Sequence, residues 1–115
     1  MYQNRYEEIV ESSSKTEREN EGLALDRSIE MMEKAQETGM ASPEAIEAQF
    51  FINRLWMFFL EDLSSPTNAL PEQIRADVIS IGIWILREVE QIRQGQSADF
   101  LGVIEVSRAI REGLR

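Results

Sequence analysis

The stretch Phe50 to Leu63, FFINRLWMFFLEDL, decides how the rest of the chain is arranged. Coiled as a helix, it puts Ile52, Leu55, Trp56, Phe59 and Leu63 on one side, the i, i+3, i+4, i+7 spacing of a buried face. Phe51 and Phe58 flank that side, while Phe50 and Met57 sit nearly opposite it. The charged residues Glu47, Arg54 and Glu61 are seven apart and share one narrow line. A helix apolar nearly all round is either a central one, ringed by others, or one that covers a second apolar edge only when a partner binds.

The sequence on either side frames this helix. Ser42 is a good N-cap and Pro43 a good first helical residue, so the helix starts there and ends near Leu63. Upstream, Ser14-Lys15-Thr16-Glu17 has capping-box spacing and predicts the start of a long helix that runs to about Thr38, with Gly39 as its stop. Leu25, Ile29 and Met32 form its apolar centre. Asp26, Glu30, Glu33 and Glu37 make one acidic stripe, read either as a solvated face or as a docking surface for a basic partner. Before it, Met1 to Ser13 is weakly organised: an arm or short helix that either folds back on the bundle or grips a partner with Tyr2 and Tyr6.

Downstream, SSPTNAL is a loop, and Pro71 opens a third helix to about Gln94, with Gly95 as its stop. Ile74, Val78, Ile81, Ile85, Val89 and Ile92 share a face, which Gly82 adjoins and where it lets a neighbour approach closely. Trp84 falls on the other side, an indole that needs a cover: the arm, another helix or a second protein. Ser97 is read as the cap of a last helix, with Asp99 in its first turn and Phe100, Val103, Ile104, Ile110 and Leu114 on its inner face. The fold class is therefore all-α: residues 1–115 as a single domain, a bundle of four main helices with an N-terminal arm or short helix.

Composition narrows the chemistry. With 43% hydrophobic and 29% charged residues the chain fits a globular protein. It has no cysteine and no histidine, which removes thiolate nucleophiles, Cys/His zinc sites and the histidine base. No Gly-rich phosphate loop or catalytic constellation is present, so neither an enzyme nor a cofactor is expected. Formal charge is −9. An acidic surface repels phosphate backbones, which argues against direct nucleic-acid contact. The longest apolar runs fall well short of the roughly 20 residues of a membrane span, and the N-terminus lacks the pattern of a signal peptide, so a cytoplasmic location is expected.

Several segments resemble one family. Asn53-Arg54-Leu55-Trp56, Leu70-Pro71-Glu72-Gln73-Ile74-Arg75-Ala76 and Ile79-Ser80-Ile81-Gly82-Ile83-Trp84, with Tyr2, Tyr6 and Ala24-Leu25-Asp26-Arg27, are similar in order and spacing to the FlaF family of bacterial flagellar biosynthesis proteins. The resemblance implies a role in flagellin production and export, as a secretion chaperone or regulator beside a second small regulator, FlbT. It implies flagellin as partner, through the amphipathic terminal helices by which flagellin polymerises. Taken with the surplus apolar edge, it makes Tyr2, Tyr6, Phe50, Met57 and Trp84 the candidate contacts. Two other readings stay open: a regulator of flagellin mRNA translation acting through a partner protein, and a homodimer whose apolar edge is its own interface.

Overall fold

The computed structural model describes the backbone of residues 2–113 and the side chains of residues 17–113. Four helices follow in order, α1 (Tyr2–Thr38), α2 (Pro43–Ser64), α3 (Glu72–Arg93) and α4 (Leu101–Gly113). The punctuation between them is chemical. Gly39 takes φ +106° and Gly95 φ +75°, the left-handed backbone that ends a helix at low cost only for glycine. Ser42 Oγ accepts from the Ala45 amide at 3.2 Å, and Pro43 fills the first helical position, where its missing N–H costs nothing. Pro71 stands just before α3 with extended backbone.

Two boundaries differ from the sequence reading. α1 is continuous from Tyr2, so Ser14 is an interior residue and no arm folds back over the bundle. A capping box requires its serine to leave helical dihedrals, and nothing before Ser14 forces it to: residues 2–13 contain neither glycine nor proline. α4 starts later than expected. Ser97 does not cap it but donates to Glu88 Oε1 at 2.8 Å, tying the turn to α3. Asp99 lies before the helix and accepts the Leu101 amide at 3.0 Å, and the Phe100 amide donates to the Gln36 side chain of α1 at 2.8 Å.

The helices pack antiparallel in the order α3, α2, α1, α4 around the core. Leu25 and Met32 of α1, Ile52 and Trp56 of α2, Ile85 and Val89 of α3, and Phe100 and Val103 of α4 meet inside. Trp56 is the largest buried side chain, with Phe59 edge-on to it at 5.2 Å and 88°. Ala35, Ala45 and Ala48 are fully buried where α1 turns into α2, and their small side chains let the two backbones approach closely. α3 comes onto α2 through Gly82: a Cβ there would stand 2.8 Å from Trp56 Cε3 and 3.0 Å from Leu60 Cδ2. α4 has 13 residues against 22 in α3, so it covers only the half of the bundle nearest the α1–α2 turn. Ile74, assigned by spacing to the inner face of α3, accordingly stays exposed.

Candidate functional site

α2 is not ringed. α1 and α3 cover one side of it, burying Ala45, Ala48, Ile52, Trp56 and Leu63, and the opposite side is open. Phe50 is 67% exposed, Met57 57% and Ile46 50%. At 100° per residue these three lie within one narrow sector of the helix. Phe58 is also exposed and is tilted against Phe59. Beside the stripe, Met57 and Phe58 together line a shallow surface with Asn53, Arg54, Leu60, Glu61 and Ser64. Because Gly82 meets Trp56 and Leu60, the next residue of antiparallel α3, exposed Ile83, stands level with Met57 and extends the stripe onto a second helix.

Trp84 is elsewhere. Two residues beyond Gly82 it points away from α2 and lies across the start of α4, where a Cβ on Gly102 would come 3.4 Å from its ring. The cover expected from sequence is thus partly α4 itself, with 40% of Trp84 still exposed beside exposed Leu101. The structure therefore brings Phe50 and Met57 together and places Trp84 on a different face. Tyr2 and Tyr6 lie outside the residues whose side chains are described.

Most of the acidic stripe of α1 has partners within the chain. Arg111 Nε donates to Asp26 Oδ1 at 2.9 Å, Arg108 pairs with Glu33, and Glu30 pairs with Arg27 on its own helix. The Arg111 guanidinium lies flat over Gly22, whose missing side chain leaves the room: a Cβ there would sit 2.9 Å from its Cζ. The basic partner for this stripe is in large part α4. Asp62, near the end of α2, is exposed and accepts from the Asn68 side chain at 3.2 Å.

A different carboxylate is perturbed. Burial pushes the Glu21 carboxyl up from its ordinary value, the charges of Asp62 and Glu17 push it further, and Arg18 pulls against them. Ionised Glu21 therefore opposes folding, an effect fully present above its raised folded-state pKa and gone below the ordinary value near 4.5. Glu21→Gln is expected to raise Tm slightly at pH 7, with the gain vanishing as the pH falls toward 4. Thermal melts at the two pH values check this; an equal gain at both would mean that charge is not the cause.

Among the described residues no cluster of potential metal ligands is found, and no helix is long and apolar enough to cross a membrane. What the surface offers is apolar contact on helical supports, the chemistry of holding another helix. No curated protein and no solved structure matches the chain. The family model described as flagellar protein FlaF matches residues 2–114, nearly the whole length, and the chain belongs to the FlaF family.

Proposed function

We propose that this protein is a non-catalytic flagellin-binding protein that supports flagellin synthesis and secretion by covering an amphipathic helix of the subunit. The observation that carries the reading is the stripe of Ile46, Phe50 and Met57, each at least half exposed although the core beneath it is closed. Contiguous exposed apolar surface of this kind marks an interaction site. Flagellin polymerises through apolar faces of its terminal helices, and a small helical protein with a matching face keeps such a helix from assembling early without any catalysis. Membership of a flagellar family supports flagellin as the client.

The test is titration of purified monomeric flagellin, with co-purification from flagellin-producing cells as a second line. A complex is expected at micromolar concentration. Phe50→Asp combined with Met57→Asp is expected to weaken it at least tenfold, the order expected when interface anchors become charged. Trp84→Ala reports separately on the α3–α4 face. No complex at micromolar concentration overturns the reading, and a continuing effect on flagellin synthesis in that case would favour the regulator acting through another protein.

A further inference from the structure

We propose that, without a client, the outward face of α2 and α3 pairs with the same face of a second copy, α2 antiparallel to α2. The inference does not rest on flagellin binding. It rests on the spacing and charge order of one helix.

Along the open side of α2, Ile46, Phe50, Asn53 and Met57 recur at intervals of four, three and four, the seam of a helix that packs against another helix. Next to the seam, at exact heptad intervals, stand Glu47, Arg54 and Glu61, all exposed. Their signs alternate. An antiparallel copy centred between Phe50 and Asn53 sets Ile46 against Met57 of the second copy, and it brings Glu47 to Arg54 twice, once on each side of the two-fold axis. Sliding the copy by one heptad sets Arg54 against Arg54 and Glu47 against Glu61, which repel. A parallel copy gives the charges no partner, since the positions that would face them are Gln49, Trp56 and Leu63; the last two are buried in the protein's own core. The sequence thus selects one orientation and one register.

The neighbouring helix fits. Ile83 is level with Met57 on the same outward face, and Met57 pairs with Ile46 of the second copy, so each α3 brings an exposed apolar residue beside that pair. A self-complementary, charge-balanced face also resolves an electrostatic difficulty: a chain of charge −9 repels its own copies nearly everywhere else. Two helices of modest length give an interface near the lower limit for specific association, so the dimer is weak and exchanges readily.

The test uses the full chain alone, by sedimentation equilibrium and light scattering from about 10 μM to about 1 mM, a range suited to an interface of this size. The wild type is expected to shift from monomer to dimer across it. Glu47→Arg turns two attractions into two repulsions and is expected to weaken the dimer about tenfold. The double change Glu47→Arg with Arg54→Glu restores the pairing and is expected to recover the wild-type curve. Both positions are exposed, and unchanged helical circular dichroism confirms folding of each variant. Trp84→Ala, on the other face, leaves the curve unchanged. A wild type that stays monomeric throughout overturns the proposal, and loss of flagellin by Phe50→Asp in that case assigns the face to the client helix. Dimerisation indifferent to Glu47→Arg also overturns it, by placing the interface elsewhere.

Discussion

Trp56→Ala is expected to cost about 4 kcal/mol of stability, within the range for deleting a large buried aromatic. Only 1% of the indole is exposed, and it sits where α2 carries α3, with Phe59 packed edge-on against it. Its removal leaves a cavity that cannot collapse, because the α2 and α3 backbones around it are held by the flanking contacts of Ile52, Ile85 and Val89. Against a typical total of about 5–15 kcal/mol, the loss brings the protein close to unfolding at 37 °C. At roughly 4–8 °C per kcal/mol for a domain near this size, Tm falls by about 15–30 °C. Urea titration followed by circular dichroism measures it, and a loss under about 1 kcal/mol would show that the ring is not the core's centre. Trp56→Phe should be far milder, for a specific reason. Trp56 Nε1 is buried without a hydrogen-bond partner, and phenylalanine removes that unsatisfied donor along with part of the ring volume.

The second large effect is expected at Gly82. Alanine is the better helix former by about 1 kcal/mol, so local propensity alone predicts stabilisation. Packing predicts the reverse. The new Cβ would stand 2.8 Å from one atom of the Trp56 ring and 3.0 Å from Leu60, and the ring is fixed on all sides. Over-packing of this kind costs about 1–3 kcal/mol for the first added carbon and more for a branched side chain. Gly82→Ala is therefore expected to destabilise by about 1 kcal/mol net and Gly82→Val by about 3 kcal/mol. The decisive measurement is a double-mutant cycle. In a Trp56→Ala background the ring contact disappears and Leu60 can move into the space it leaves, so Gly82→Ala should become neutral or favourable. Additive losses would mean that the glycine serves something other than the close approach of α3.

The same two residues show what was legible in the sequence. Ser42-Pro43, Pro71, Gly39 and Gly95 punctuate α2 and α3 by local backbone chemistry, and local chemistry is what a linear sequence displays. The second apolar edge of α2 was equally visible, because Phe50 and Met57 fall opposite the buried face under any packing. The start of α4 was not visible. Ser97 looks like a cap, yet the first turn is anchored by Gln36, 64 residues earlier in the chain. Two partners of the acidic stripe of α1 were not visible for a similar reason: Arg108 and Arg111 arrive from α4, 75 and 85 residues later. Grouping Trp84 with Phe50 and Met57 required knowing which side of α3 rests on α2. The glycine that answers this was identified as a close-approach site, but its partner was not.

The tie between Phe100 and Gln36 also bears on how the molecule assembles. The α1–α2 and α2–α3 hairpins join segments adjacent along the chain and close rapidly, whereas seating α4 on α1 must wait for a long loop to close. Because Phe100, Val103 and Ile104 fill the interior from α4, a chain emerging from the ribosome keeps its hydrophobic centre open until that helix has been made and released from the exit tunnel.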